Sequence, residues 1–183
     1  MNDVIMYKSK IIGICGSPHL NGNTAKLIKK ILDGCKRAGA EIEFISLGNK
    51  KILFCKACYE CIKKGECVLD DNLNGIRKKM INANGIVIGS PTYGREITGQ
   101  LKTFFDRLFY DIHKQTFLEK YAVCVTTYIF SPGCTPKTLR ELTMALGYYV
   151  EDTINAGLWK YNNEIEKDSK TMEKAFDVRI KTC

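Results

Sequence analysis

The sequence predicts an α/β fold: a single domain on a doubly wound, five-stranded parallel sheet in the order 2-1-3-4-5. Three observations carry this reading. Short apolar runs alternate with amphipathic stretches from end to end, the pattern of a parallel sheet covered on both faces. Five such runs fit within 183 residues, a length that supports one substantial core, and no repeat, low-complexity tract or linker divides them. Three chemically unusual segments directly follow the first three runs. In this winding ligands bind beyond the carboxyl ends of the strands, at the crevice between strands 1 and 3.

Ile11–Cys15 reads as a buried first strand, and the turn Gly16–Gly22 leads into a helix from Thr24 to Ala38. Glu41–Leu47 is the second strand. A cysteine-rich segment, about 52–70, follows as an insertion before a helix from Asp71 to Asn82. Gly85–Gly89, with Ile-Val-Ile at its centre, is the third strand. Gly99–Tyr110 places Leu101, Phe104, Phe105 and Leu108 on one helical face, a core face rather than a binding one. Tyr121–Thr127 is strand 4, Pro136–Leu146 a helix stopped by Gly147, and Tyr148–Ala156 strand 5. A charged amphipathic helix over Asn162–Thr182 closes the chain.

Composition narrows the function classes. Hydrophobic residues at 45% and charged residues at 26% are those of an ordinary globular domain. No apolar run is long enough to span a bilayer, and the five residues Ile11–Cys15 are too few for a signal-peptide core, so a cytoplasmic protein is expected. The formal charge of +8 is spread along the chain and interleaved with acids. With no arginine-rich arm or basic–aromatic array, nucleic acid is not an expected partner, and anionic cofactors or an acidic electron donor are better candidates. Nine cysteines without an export signal argue for reduced thiols rather than a disulfide scaffold. Cys15, Cys35, Cys124, Cys134 and Cys183 are scattered and read as small packing residues.

The segment Gly16-Ser17-Pro18-His19-Leu20-Asn21-Gly22-Asn23-Thr24 has the makings of an anion nest. Its glycines permit close backbone approach, and Ser17, Asn21, Asn23 and Thr24 offer side-chain hydrogen bonds. The free N–H groups and dipole of the following helix favour negative charge. The nest suits one phosphate monoester. Neither a Gly-Lys-Ser/Thr ending nor GxGxxG is present, which counts against ATP, GTP and dinucleotides at this loop. The plainer alternative is a Gly/Asn turn with Asn23 as an N-cap. After strand 3, Ser90-Pro91-Thr92-Tyr93-Gly94 combines a stiff turn, an aromatic surface and a glycine that lets backbone pass near a planar ring.

Cys55-x2-Cys58-x2-Cys61-x5-Cys67 is the most informative stretch. The spacing lets one coiled segment turn successive sulfurs inward around a compact object, and a cuboidal iron–sulfur cluster takes four thiolates. The last interval is longer than in ferredoxin-type runs, and the trailing proline is missing. Lys50, Lys51, Lys56, Lys63 and Lys64 should lower the thiol pKa values. Structural zinc, which usually uses two pairs across a longer spacer, and redox-active thiols remain alternatives. No acid–base or nucleophile constellation is visible, so no catalytic residue is assigned. His113 reads as a solvated helix-end residue.

These segments also carry a family resemblance. "GSPHLNGNT" is similar to the GSPRxxGNT signature of the NADPH-dependent FMN reductase-like branch of flavodoxin-fold proteins, with His19 in place of a common arginine. "SPTYGREITGQLKTFFDR" resembles that family's SPTYxxxxxxxLKxFxDR element. "CKACYECIKKGECVLDD" resembles the compact motif of iron–sulfur flavoproteins. The resemblance spans about residues 10–110 and is at fold level beyond. It implies a flavodoxin-like fold with FMN phosphate held by Ser17, His19, Asn21, Gly22, Asn23 and Thr24. It implies an isoalloxazine ring against Pro91, Thr92, Tyr93 and Gly94. It further implies a [4Fe–4S] cluster on Cys55, Cys58, Cys61 and Cys67, a ferredoxin-like electron donor, and a homodimer or homotetramer in which cluster and flavin face each other across subunits. The expected function is FMN-dependent oxidation–reduction or electron transfer between cluster and flavin to a small-molecule acceptor. A cluster-free NAD(P)H-dependent FMN or quinone reductase and a zinc-stabilised, non-catalytic binding module are the alternatives.

Overall fold

The computed structural model describes residues 8–158, 164–178, 180 and 181. Five parallel strands form the sheet β2-β1-β3-β4-β5, with β1 at Lys10–Cys15, β2 at Glu41–Ser46, β3 at Gly85–Pro91, β4 at Tyr121–Tyr128 and β5 at Tyr149–Gly157. The order is the one expected from the alternation of apolar runs. Register aligns the ends of the inner strands, with Cys15 beside both Ser46 and Gly89 and Pro91 beside Thr127. The segments after β1, β2 and β3 therefore leave the sheet along one edge.

Strand side chains alternate between two cores because successive residues point to opposite faces. Ile12, Ile14, Ile86, Ile88 and Cys124 meet helices α3 (Leu73–Asn82), α4 (Gly99–Arg107) and α6 (Thr135–Ala145) on one face. Ile11, Cys15, Val87, Val123 and Val125 meet α1 (Asn23–Arg37) on the other, where Ala175 of α7 (Ser169–Asp177) completes the layer. The α1 face is built from Leu27, Ile28, Ile31, Leu32 and Cys35, spaced to form one buried stripe.

Three expectations shift in detail. The predicted helix Gly99–Tyr110 ends at Arg107, and after Leu108 the chain restarts as α5, Phe109–Lys114. That redirection turns Asp111 onto Arg77, whose Nε donates to both carboxylate oxygens at 2.9 and 2.7 Å. Tyr148 does not open the last strand: its ring stacks on Phe117 with centroids 4.9 Å apart, and β5 starts one residue later. The closing helix is shorter than predicted, a 3-10 turn at Ile165–Lys167 followed by α7. Its predicted ends at 162, 163 and 182 lie outside the described residues. The cysteine segment contains one short helix that periodicity did not reveal, α2 at Glu60–Lys64. Gly147 stops α6 as expected, with φ +104°.

Among the described residues no helix is long and apolar enough to cross a membrane. Cys15, Cys35 and Cys124 pack in the interior as expected, whereas Cys134 is exposed. It occupies the residue before α6, where its backbone N–H is spent on the Arg95 carbonyl and its side chain is left outside the core. Cys183 lies outside the described residues.

Candidate functional site

The loop after β1 is shaped by its attachment to its neighbours. Gly16 N–H donates to the Gly89 carbonyl at 2.8 Å, and the Gly16 carbonyl accepts from Thr98 Oγ1 at 2.6 Å. A side chain at residue 16 would place its Cβ 2.7 Å from Leu101 Cβ, so only glycine lets the loop lie this close to α4. Ser17 is buried, and its Oγ accepts from the His19 N–H at 3.1 Å, which tightens the turn. Gly22 rather than Asn23 occupies the N-cap of α1. No side chain caps this end and no acidic residue occupies its first turn. The helix thus turns the positive end of its dipole toward the loop, an arrangement that favours a negatively charged group.

The predicted phosphate residues play different parts. Thr24 Oγ1 lies 2.7 Å from Thr127 Oγ1 in a buried pair that joins the α1 start to the end of β4. Asn23 Oδ1 accepts from the Ile165 N–H at 3.0 Å, which ties the loop to the C-terminal region. Asn21 Oδ1 accepts from Lys29 Nζ at 3.4 Å. His19 and Asn21 lie at the surface rim of the loop, while Ser17 and Thr24 form its floor.

The loop after β3 forms a tight reversal. Tyr93 and Glu96 exchange backbone hydrogen bonds of 2.9 and 3.0 Å around Gly94 and Arg95, both with positive φ, at +57° and +71°. That conformation explains the glycine at 94; the space beside it is open, with nothing within 4 Å of where a Cβ would stand. Thr92 N–H donates to the Thr127 carbonyl at 2.8 Å and its Oγ1 to the Pro132 carbonyl at 3.2 Å, so Thr92 anchors the loop to the segment after β4. The Tyr93 ring stands partly exposed at the tip. Thr98 N–H donates to the buried Ser90 Oγ, and Thr98 Oγ1 caps α4 by accepting from Leu101 N–H. One threonine thereby fixes the loop after β3, the loop after β1 and α4 relative to each other.

Cys55, Cys58, Cys61 and Cys67 line one cavity of about 150 Å³ with Ala57, Tyr59, Val68, Asp106, Arg107 and Phe109. Left-handed backbone at Ala57 (φ +50°) and Tyr59 (φ +58°) coils the segment so that spaced cysteines face the same hollow. Among the described residues no group of three or more Cys, His, Asp or Glu side chains is arranged to hold a metal ion. One zinc ion needs its sulfurs at about 2.3 Å from a common centre. A cuboidal cluster takes four thiolates at separate corners, and four cysteines around one hollow supply that number of donors. The Ala57 N–H donates to Cys55 Sγ at 3.4 Å and Arg107 Nε to Cys67 Sγ at 3.2 Å.

The expectation that neighbouring lysines lower the thiol pKa values fails at Cys61. Its pKa is raised, first by burial and then by the adjacent Cys67, Cys58 and Cys55. Lys63 is exposed and paired with Glu60 at 3.1 Å. His113 stacks on Phe109 at the surface, and Phe104 and Phe105 are core, as the spacing indicated.

The residues that periodicity alone missed are Ser90, Thr98, Thr127, Asp71 and Arg107. Ser90, Thr98 and Arg107 stand inside the SPTY…DR stretch, so the motif contained their signal, but only the fold shows what they hold.

This five-stranded parallel sheet in the order β2-β1-β3-β4-β5, covered by helices on both faces, defines a flavodoxin-like fold. Residues 9–150 match the NADPH-dependent FMN reductase family, and the chain belongs to that family of flavin-dependent oxidoreductases. Among curated proteins it is 34% identical over 119 residues to an iron–sulfur flavoprotein of Archaeoglobus fulgidus, covering 65% of this chain and 54% of that protein. It is 43% identical over 98 residues to iron–sulfur flavoprotein MJ1083 of Methanocaldococcus jannaschii, covering 54% and 51%. An iron–sulfur flavoprotein of Clostridioides difficile is 31% identical over 141 residues, covering 75% and 62%. The matched part of this chain spans about half the length of the first two relatives. Among solved structures, a flavone reductase superposes with a TM-score of 0.71 at 21% identity, over 91% of this chain and 59% of the other. The apo form of an NADH:FMN oxidoreductase gives 0.68 at 22%, over 93% and 87%. At these identities the structural likeness speaks for the fold.

Proposed function

We propose that this chain is an FMN-dependent oxidoreductase that passes electrons between a [4Fe–4S] cluster on Cys55, Cys58, Cys61 and Cys67 and FMN in the crevice beside Gly16–Thr24 and Pro91–Gly94. One observation supports this most: all four cysteines border a single cavity at one end of α4, while the other end of α4 is hydrogen-bonded to the phosphate loop. The names of the curated relatives agree with it.

When bound, FMN exchanges electrons singly or in pairs and an iron–sulfur cluster singly; the protein supplies position and electrostatics. The α1 N-terminus and buried Ser17 would hold the phosphate, while Thr92 and the Tyr93–Glu96 reversal fix the backbone where the ring would lie. Thr98 keeps these two loops at a set spacing. Arg107 and the Ala57 N–H donate toward sulfur and stabilise thiolate charge. The exposed lysines around the run suit an acidic, ferredoxin-like donor that delivers single electrons. NAD(P)H is a possible second donor, a homodimer or homotetramer the assembly, a small molecule the acceptor and the cytoplasm the setting.

Protein purified without oxygen, assayed for flavin, iron, acid-labile sulfide and zinc alongside its visible spectrum, tests the reading. About four irons and four sulfides per FMN are expected from the cluster stoichiometry. FMN without iron would favour the NAD(P)H-dependent reductase, and zinc without colour the binding module.

A further inference from the structure

The cysteine segment meets the core through partly buried Ile52 and Cys67, while α2 buries none of its residues. It is also held by a polar knot at its base. The Asp71 carboxylate accepts from the backbone N–H of Leu53 at 2.8 Å and of Leu73 at 2.9 Å. Arg107 Nη1 donates to the same carboxylate at 2.7 Å and to the Leu53 carbonyl at 2.6 Å. Lys51 and Asn72 close a second tie, Lys51 N–H to Asn72 Oδ1 at 2.8 Å and Asn72 N–H to the Lys51 carbonyl at 3.0 Å. Both ends of loop 54–70 are thereby drawn to one point.

The Arg107 and Asp71 side chains are both 0% exposed. A buried pair of this kind is a costly way to add stability, because two charges have lost their water. It is better suited to enforcing one geometry. Arg107 is also not spent on Asp71 alone: its Nε continues to Cys67 Sγ at 3.2 Å. A guanidinium is a planar fork with five donors, so it can serve a carboxylate, a carbonyl and a sulfur at fixed angles; a lysine ammonium cannot.

The position of Arg107 in the chain adds meaning. It is the last residue of α4, and Thr98, which caps the first turn, binds the Gly16 carbonyl of the phosphate loop. Nine helical residues form a rigid spacer of about 13 Å between these two attachments.

We propose that Arg107 is a positioning residue for the cysteine site. It closes the base of loop 54–70 through Asp71 and Leu53, so the sulfurs are gathered before iron arrives, and it aims an N–H at Cys67 that stabilises negative charge on that sulfur. The second part rests on the cysteines being cluster ligands; the first does not. With the cluster present, losing the donor disfavours the more negative, reduced state, so the reduction potential falls.

Wild type, Arg107→Lys and Arg107→Gln are compared, each purified without oxygen. Amide hydrogen exchange of the iron-free proteins reads the first part. Loop 54–70 is expected to exchange at least about tenfold faster in R107Q, while β1 and β3 amides keep their protection. Unchanged exchange in the loop overturns the proposal, and so does an equal loss of protection across the sheet, which would reduce Arg107 to a general structural role. If R107Q does not fold, R107K carries the same comparison. The midpoint potential after anaerobic loading with iron and sulfide reads the second part. It should fall in R107Q, with R107K in between, and equal potentials refute the sulfur contact. Wild-type protein that takes up no iron would refute the cluster reading and with it the sulfur role, while the exchange data would still decide whether Arg107 closes the loop.

Discussion

Gly16→Ala tests the claim that the phosphate loop is held by close approach of backbone to α4. In the native geometry the new Cβ would stand 2.7 Å from Leu101 Cβ, 3.1 Å from Leu101 Cδ2 and 3.2 Å from the Gly89 carbonyl oxygen. Leu101 Cβ is fixed to a buried helix turn, so relief must come from the loop moving outward. That movement stretches two bonds, Gly16 N–H to Gly89 at 2.8 Å and Thr98 Oγ1 to Gly16 at 2.6 Å. Two weakened hydrogen bonds at about 1 kcal/mol each, or overpacking at about 1–3 kcal/mol, give an expected destabilisation of about 2 kcal/mol. The displaced loop also aims its N–H groups wrongly, and an affinity loss of 1.4 kcal/mol or more means at least tenfold weaker FMN binding. Urea unfolding of the apoprotein and quenching of FMN fluorescence measure the two effects separately. G16A protein with wild-type unfolding midpoint and wild-type FMN affinity would refute the reasoning.

Asp71→Asn leaves the Arg107 guanidinium buried without its counter-charge, and urea unfolding should show a loss of about 3–5 kcal/mol, the range for breaking a buried pair. The Asp71 carboxyl is held below its ordinary pKa: burial alone would raise it, but the Arg107 guanidinium with the Leu53 and Leu73 N–H groups outweighs burial. Its stabilisation is therefore complete above the unfolded value near 3.9 and lost as pH falls through the lower folded value, so wild type should lose stability below about pH 4 more steeply than D71N. Burial pushes the Cys15 thiol up to about 11 and the Cys124 thiol up to about 12. Iodoacetamide at pH 8 followed by peptide mass spectrometry should label exposed Cys134 and spare both, and rapid native labelling of either buried thiol would contradict the packing. Lys120→Met removes an ammonium that donates to the carbonyls of Met80, Ile81 and Ala83 at the end of α3, and urea unfolding should show a loss of about 1–3 kcal/mol.

Much of this molecule was legible in the chain. Ile-Val-Ile in β3 and the 3.6-residue stripe Leu27, Ile28, Ile31, Leu32 are local patterns: the continuous run specifies a strand buried on both faces and the stripe a helix buried on one. Parallel pairing followed from their alternation, because parallel neighbours need crossover helices, and five such strands fit the doubly wound order seen in the sheet. The phosphate loop and cysteine run were equally visible, since both are contiguous and their chemistry depends on spacing within a dozen residues. The break at Leu108 was not: the apolar period continues through it, and the chain turns there to bring Asp111 to Arg77, which lies 34 residues away in sequence.

Sequence by itself determined the parallel winding, the turn that opens α1 and the grouping of four cysteines in one short segment, because short-range spacing and hydrophobic period encode each of them. Only the tertiary structure decided that Thr98 reaches Gly16 across 82 residues, that Thr24 meets Thr127 across 103, and that Arg107 meets Cys67 across 40. Such pairs leave no periodic trace: a buried polar group must find a partner wherever the packed chain supplies one, and which partner is near is settled only when the layers close.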